Sequence, residues 1–578
     1  MRYITILLIF LVTINSSKAV VLVGPSGQNI DCPYQTIQAA IDSGDPEIRV
    51  VNDGEYVENL SISHSVSITG GYANCFAALL NQPTEGAKSV VNGSFAAGLP
   101  AININGIGSL NNILRNLTIK NAIDTQFIDG GHGIDLNNST GTLTIENTLI
   151  LGNTAENGGG IYIGNPIGNL SVSISNSSVF GNSASDLGGG IYCGGASTFI
   201  RVANQSYVGE NMADNGGGIA AVNGCTVTVD SGIDVLNSQD LRGVMNNTST
   251  NNGGGIYLEG SELFLEGNIY SILNFGNSTF PVTVSKNSAD SAGGGIYAKD
   301  NSTIQITDGQ ISMNSSANNG AGIYLGIDSE LTMKSSGRNC WQDGKCSVIS
   351  HNTAGKTRLG GAIYVSANSI ATIENTTIYS NRAGFGSVFY GLDLDDNERA
   401  SIKLDGNYIY NNAENESDGY GDQLLLRANG NIDVNIIHNT IAGNDINDSS
   451  TIIGVSGDVD LDIKNSIIDN QDELILTTVG SDFNVSTECL LVNEDGTITG
   501  SPLGIFAVGY VDANNNDYRL AAQSSAIDVC GNANGTSADS ENQDRGWDDP
   551  SINNVLGAFD AGADESYLSD IIFSNHFE

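Results

Sequence analysis

Three short segments of the 578-residue chain alternate polar and apolar residues in the same phase: Ser401-Ile402-Lys403-Leu404, Asp433-Val434-Asn435-Ile436 and Asp460-Leu461-Asp462-Ile463. Stacked as neighbouring strands with the apolar residues inward, they would set Asp433 and Asp460 side by side on the outer face, beside Lys403, Asn435 and Asp462. Two carboxylates about 5 Å apart can share a proton, the arrangement that acid–base cleavage of a polysaccharide needs, or they can share a calcium ion. Lys403 would then be the accompanying base. On a chain this acidic the same atoms also make an ordinary solvated surface. A second acidic run, Asp393-Leu394-Asp395-Asp396-Asn397-Glu398, has oxygens suited to calcium in Asp393 and Asp395 but lacks EF-hand spacing, which favours a solvated corner. His132 sits inside Gly130-Gly131-His132-Gly133 with no Ser, Asp or second His placed to complete a nucleophilic relay, so it reads as a corner residue.

Those strands belong to a repeat. Gly-Gly-Gly-Ile-Tyr recurs from Gly158, Gly188, Gly253 and Gly293, with variants at Gly130, Gly216, Gly320 and Gly360. A second signature, Ile/Val-x-x-Asn, closes on Asn153, Asn182, Asn211, Asn247, Asn287, Asn314, Asn352, Asn381, Asn412, Asn444 and Asn470. Between them lies an alternating segment such as Leu170-Ser171-Val172-Ser173-Ile174. Three short strands and their corners in roughly 27 residues match one coil of a parallel β-helix, an all-β solenoid. Glycine suits a sharp corner, and asparagine amides can hydrogen-bond up a column of coils spaced ~4.8 Å apart.

The 72 glycines and the net charge of −42 constrain partners as well as fold. Such a charge disfavours nucleic acid and anionic membrane surfaces. Arg2, the apolar run Ile4 to Ile14 and Ser17-Lys18-Ala19 read as a signal peptide (1–19). No later apolar run approaches the ~18 residues of a transmembrane helix, so a monomeric chain exported to the extracellular space or outer surface is expected. Export makes the eight cysteines disulfide candidates, and their clustering suggests Cys32 with Cys75, Cys340 with Cys346 and Cys489 with Cys530, leaving Cys193 and Cys225 to staple successive coils. Residues 20–75 read as an N-terminal cap and first coil, in which Thr36 would cap a short helix presenting Ile37, Ala40 and Ile41 to the open end of the core. Residues 76–481 read as the repeats, 482–565 as a C-terminal cap module and 566–578 as a tail.

The opening, Ile48-Arg49-Val50 through Val66-Ser67-Ile68-Thr69-Gly70-Gly71-Tyr72, resembles pectin-lyase-like right-handed parallel β-helix proteins. The paired signatures also resemble the passenger repeats of polymorphic outer membrane proteins: Gly360-Gly361-Ala362-Ile363 matches their Gly-Gly-Ala-Ile, while Ile or Val replaces their Phe before x-x-Asn. Asp512 to Leu520, Ser525 to Asp528 and Gly557 to Glu565 are similar to the terminal module of bacterial choice-of-anchor surface proteins. The right hand of the coil rests on these resemblances and on the usual chirality of parallel crossovers.

Counting along the repeats singles out another region. From the end of the second strand to the ladder asparagine most coils take eight residues, as from Ile174 to Asn182, but Val229 to Asn247, Leu265 to Asn287 and Met333 to Asn352 take 18, 22 and 19. In-register coils would raise all three insertions on one side. They carry Arg242, Tyr270, Phe275, Phe280, Arg338, Trp341 and Lys345, an aromatic and basic patch suited to carbohydrate or a cell-surface protein. Two functions follow: a secreted or surface-associated β-helix scaffold that binds through stacked loops, or a polysaccharide lyase or hydrolase using the Asp433 and Asp460 neighbourhood with calcium support. The first needs no cofactor.

Overall fold

The computed structural model describes residues 20–26, 32–106, 108–123, 131–164, 166–233, 241–272, 276–337, 346–394, 399–414, 425–444, 451–469, 473–477, 482–492, 508–539 and 541–566. The signal-peptide assignment (1–19) and the tail from 567 lie outside the described residues.

Isoleucine after each glycine corner sets the first wall of the molecule. Ile134, Ile161, Ile191, Ile219, Ile256, Ile296, Ile323 and Ile363 are successive partners in parallel register, and each is almost completely buried. Burying such a side chain contributes about 1.5–3 kcal/mol, so the stack is a continuous source of stability along the axis. The residue after it points out, and there tyrosines stack ring on ring: Tyr297 on Tyr324 at 4.8 Å and Tyr324 on Tyr364 at 4.7 Å between centroids. Among the described residues this wall holds fourteen strands, from Leu60–Ile62 to Glu473–Thr477. The second and third strands of the coils form two further walls within one sheet, as where Leu170–Ser175 lies between Gly141–Glu146 and Thr198–Ala203. The fold is the expected right-handed parallel β-helix, somewhat longer than a dozen coils.

The three glycines of a corner do different work. Gly188 has φ +67°, the left-handed region that favours glycine. Gly189 and Gly190 have no such φ, but a Cβ on either would lie 2.6 Å from the carbonyl oxygen of Gly217 or Gly218 in the next coil.

At the opposite corner the asparagines form an unbroken buried ladder from Asn153 to Asn444. In each step the side-chain amide and the backbone N–H donate to Oδ1 of the next asparagine, at 2.9 and 3.1 Å from Asn153 to Asn182 and at 3.0 and 3.1 Å from Asn287 to Asn314. The same amide reaches back a coil, as Asn182 Nδ2 does to Ile150 O at 3.0 Å. Two residues beyond the ladder also pair in parallel, such as Thr154–Ala155 with Ser183–Ala184, so a coil has a short fourth strand besides the three expected.

The helix Ile37–Asp42 closes the first end with Ile37, Ala40 and Ile41 buried. Thr36 Oγ1 accepts from Ala39 N, and Glu58 accepts from Ile37 N and Gln38 N at 2.9 Å. Cys32–Cys75, Cys193–Cys225 and Cys489–Cys530 are disulfides. Cys346 is also disulfide-bonded, and its expected partner Cys340 lies outside the described residues.

At the other end the long sheet gains a strand past residue 481, Phe483–Val492 beside Val459–Asp469. Residues 508–566 then fold back along the outer flank of the third wall. Thr536 N donates to Asp405 Oδ2 at 2.9 Å, Ala563 N to Thr440 Oγ1 at 2.9 Å, and Asn375 Nδ2 to Ala538 O at 3.2 Å. The module covers Ile467, which faces outward and packs with Leu520, Ala526, Ile527 and Ala561. With little regular structure of its own, it is braced by buried carboxylates. Glu565 Oε1 accepts from Gly546 N and Trp547 N, Asp560 from Asp528 N and Ser566 N, and Asp539 from Glu541 N and Gln543 N, all between 2.7 and 2.9 Å.

Candidate functional site

Val229, Leu265, Ile306 and Met333 are consecutive register partners at the end of the second wall. The three long arcs therefore leave the same corner, with the short coil of Ile306 between the second and third. The first arc doubles back, Gly232–Ile233 running antiparallel to Leu241–Met245. The second is a β-hairpin of Asn268–Ile272 with Gly276–Phe280. Arg242 and Tyr270 lie on these strands opposite Gly232 and Ser278. Their side chains lie outside the described residues, as do Phe275, Arg338, Trp341 and Lys345. Phe280 must be removed from the exposed patch. It stands at the foot of the hairpin, where the chain re-enters the third wall at Val282–Ser285, and it is completely buried.

The register also places the acidic residues as their alternation implies, with Asp433 beside Asp460 and Lys403 beside Asn435, which is beside Asp462. A fourth residue changes their chemistry. Arg399, from the preceding corner, binds Asp433 at 2.6 Å, Asp458 at 3.2 Å and Asp460 at 3.2 Å. The charge that a shared proton or calcium ion would supply is thus supplied by a guanidinium. Lys403 turns away from the pair to Glu374 at 3.1 Å and Asp405 at 2.9 Å, and Asp462 pairs with Lys464 at 2.7 Å. Asp393 is buried at a strand end, where Oδ2 accepts from Ala400 N at 2.9 Å and Asn368 N at 3.2 Å. Asp395 lies outside the described residues. Among the described residues no group of three or more His, Cys, Asp or Glu side chains is arranged to hold a metal ion. His132 is a buried corner residue stacked on Tyr162 at 4.6 Å.

Sequence reasoning missed a cleft between the foot of the third insertion and the C-terminal module. The foot of the insertion, at Ser335 and Cys346, forms one side, and the module forms the other. Its floor is the outer face of the third wall, where Tyr408 and Tyr410 flank inward-facing Ile409. Tyr518 of the module packs on Tyr410 at 5.4 Å, and Tyr379 stacks on Tyr410 from the preceding coil at 5.3 Å. Arg519 projects at the rim with both Asp517 oxygens in its fork, 2.8 and 2.7 Å away, and Glu541 at 3.4 Å. The cleft has a volume of about 620 Å³. The Tyr-x-Tyr of the floor was visible in the sequence, but only the fold back of residues 508–566 turns it into a cleft.

Two comparisons bear on this architecture. Residues 244–259 and 281–299 match the model of the Chlamydia polymorphic membrane protein repeat. Both stretches join a ladder asparagine, Asn247 or Asn287, to its glycine corner. The probable autotransporter YfaL of Escherichia coli strain K12 is 28% identical over 245 residues, covering 36% of this chain and 18% of that protein. The chain thus spans about a fifth of the length of the curated relative it matches. Among the described residues no helix is long and apolar enough to cross a membrane. The repeats are similar to those of polymorphic membrane proteins, and they build a β-helix that fits an autotransporter passenger.

Proposed function

We propose that this chain is an exported, surface-displayed β-helix that binds carbohydrate on its insertion-bearing flank. The observation that supports the reading is the register of Val229, Leu265 and Met333, from which three insertions leave one corner of the coil. Repeat proteins collect insertions on their binding face, and a rigid ladder of coils holds such loops at fixed spacing. Likeness to the Chlamydia repeat and to a probable autotransporter supports display at an outer surface. The resemblance of residues 512–565 to choice-of-anchor modules makes the flank-docked module a candidate for attachment. The pectin-lyase-like resemblance would bring polysaccharide cleavage, but Arg399 is paired with the two carboxylates that reading needs.

A glycan panel presented to the mature chain, with product analysis, tests this. Retention of intact glycans is expected, with binding lost in Tyr270→Ala/Trp341→Ala and the melting temperature nearly unchanged. Release of shortened chains or unsaturated uronate would replace the reading with an enzymatic one. Unchanged binding in the folded double variant would move the contact away from the insertions.

A further inference from the structure

We infer that a groove along the glycine corners, from Asn252 to Arg358, is a binding site for a carboxylate-bearing saccharide. It lies at the corner that leads into the first wall, a different corner from the one the insertions leave, so it stands apart from the reading above. Stacking decides what one side of the groove presents. Register sets Tyr257, Tyr297, Tyr324 and Tyr364 ring on ring, which covers their faces and turns their edges outward. The edge is the positive part of an aromatic quadrupole. Tyr297 and Tyr324 line the groove, and among the described residues their hydroxyls have no hydrogen-bond partner and are not buried. The other side is the turn before each glycine corner. There Asn318 Nδ2 donates to Ser291 Oγ at 3.5 Å and Asn319 Oδ1 accepts from Leu359 N at 3.1 Å, which leaves Asn318 Oδ1 and Asn319 Nδ2 open.

Charge narrows the ligand. Arg115, Lys120, Lys299, Arg399 and Lys403 all lie within ion-pair distance of an Asp or Glu. Arg358 does not: it is exposed, and among the described residues its guanidinium has no ion pair or hydrogen bond. It is also the one charged residue lining the groove, which holds no carboxylate. Lys356, in the same turn, and Arg382 are equally exposed and unpaired. The turn after Arg382 packs beside Arg358, whose carbonyl accepts from Gly384 N at 2.9 Å and Phe385 N at 3.0 Å. On a chain carrying −42, three unpaired cations in adjoining turns mark a local reversal of sign. At physiological salt the more distant acids are screened beyond ~8 Å, so the lining governs. A free guanidinium is a planar fork that matches a carboxylate, and the open hydroxyls and amides match the hydroxyls of a sugar. An acidic peptide brings the charge without the hydroxyls. At about 580 Å³ the groove falls within the ~300–1,000 Å³ range of small-ligand sites.

The test uses the full mature chain, read by calorimetry. The probes are sialyllactose and a hyaluronan tetrasaccharide, with lactose as the neutral control and tetraglutamate as the acidic control without a sugar. Two variants accompany them: Arg358→Ala, and Tyr297→Phe/Tyr324→Phe, which keeps the ring stack and removes both hydroxyls. At least one acidic saccharide is expected to bind, roughly tenfold or more weakly in Arg358→Ala, the loss of one charged hydrogen bond, and several-fold more weakly in the tyrosine variant. All substituted groups are at the surface, so melting curves should coincide. Failure of both acidic saccharides to bind, or binding unchanged in Arg358→Ala, overturns the groove. Lactose binding as tightly overturns the carboxylate, and tetraglutamate binding as tightly overturns the saccharide. Binding kept in Arg358→Ala but lost in Tyr270→Ala/Trp341→Ala also overturns the groove, while supporting the insertion flank.

Discussion

Arg399 Nε donates to Asp433 Oδ1 at 2.6 Å, and from there the same guanidinium spans to Asp458 and Asp460. The arrangement answers a problem of stacked coils. Parallel register repeats each outward side chain at the next rung, so an aspartate on neighbouring rungs faces its own like charge. Arg399 sits among three such charges and replaces repulsion with attraction.

The first prediction follows from that contact. In the wild-type chain millimolar calcium should leave the thermal midpoint unchanged, because the arginine already bridges the three carboxylates. Arg399→Gln should lower the midpoint modestly, since partly exposed pairs contribute about 0–1 kcal/mol each, and calcium should then restore it. A calcium-dependent rise in the wild type would show that the carboxylates bind the ion despite Arg399.

A second prediction concerns the flank-docked module. Burial pushes the carboxyls of Asp560 and Glu565 above the ordinary range, and Asp564, fully buried, is pushed well above it. A carboxyl with a raised folded pKa binds its proton more tightly in the folded state. Its contribution is present below the unfolded value of about 4 and is lost as pH rises through the folded one. His438, held down first by burial, opposes this only where an ordinary histidine titrates, so it drops out above about pH 6.5. Between pH 6.5 and 9 the module should therefore loosen. Limited proteolysis should cut within residues 508–566 faster at pH 9 than at pH 6.5 while the coils stay intact, and equal rates would contradict it.

The repeat was legible because its parts obey local rules. Glycine at a left-handed corner, isoleucine facing in and tyrosine facing out each follow from one residue and its immediate neighbours. The insertions were legible for the same reason, since register turns a count of residues into a direction. What stayed hidden depended on the coil above or below. The residue before each ladder asparagine adopts a left-handed φ even where it is Glu210, Lys286, Met313, His351 or Ser380. Composition does not mark these positions as corners, because the ladder hydrogen bonds impose the conformation. Arg399 was missed because it reaches across two coils. Phe280 was misplaced because exposure was read from its loop, whereas the hairpin foot buries it. The docking of the C-terminal module stayed hidden too, because its carboxylates brace backbone N–H groups and its Tyr518 meets a tyrosine 108 residues earlier, Tyr410.

A third prediction uses Cys32–Cys75, which ties the segment before the first helix to the start of the helix Cys75–Leu79, 43 residues later. Removing it with Cys32→Ser/Cys75→Ser should lower stability by about 2–4 kcal/mol, the usual contribution of a disulfide in an exported domain. Because coils contact mainly their neighbours, the loss should be local. Hydrogen exchange should rise first around Leu22, Val51 and Tyr72, which pack with the two cysteines. Uniform acceleration along the chain would show that the end cap is coupled to every coil.

The last prediction tests the asparagine ladder at its middle. Asn314 is 1% exposed and serves both neighbours at once. Its Oδ1 accepts from Asn287 N at 3.1 Å and Nδ2 at 3.0 Å, while its own Nδ2 donates to Val284 O and Asn352 Oδ1, both at 3.0 Å. Asn314→Ala would orphan Asn287 N, take one of the two bonds of Asn287 Nδ2, which keeps Val244 O at 3.0 Å, and remove one donor each from Val284 O and Asn352 Oδ1. Asn352 Oδ1 would still accept from Asn314 N, so the damage falls mainly on the N-terminal side. Each buried donor left unpaired costs roughly 1–3 kcal/mol, which makes this far more harmful than losing the exposed Ser315 hydroxyl beside it. In urea unfolding, Asn314→Ala should shift the midpoint strongly downward and Ser315→Ala should barely move it. Asn314→Asp separates the two roles: it keeps the acceptor but loses the donors and buries a charge, so it should be as harmful near neutral pH and milder in acid, where the carboxyl is protonated. Equal, small effects from all three substitutions would mean that the apolar stack alone holds the coils in register.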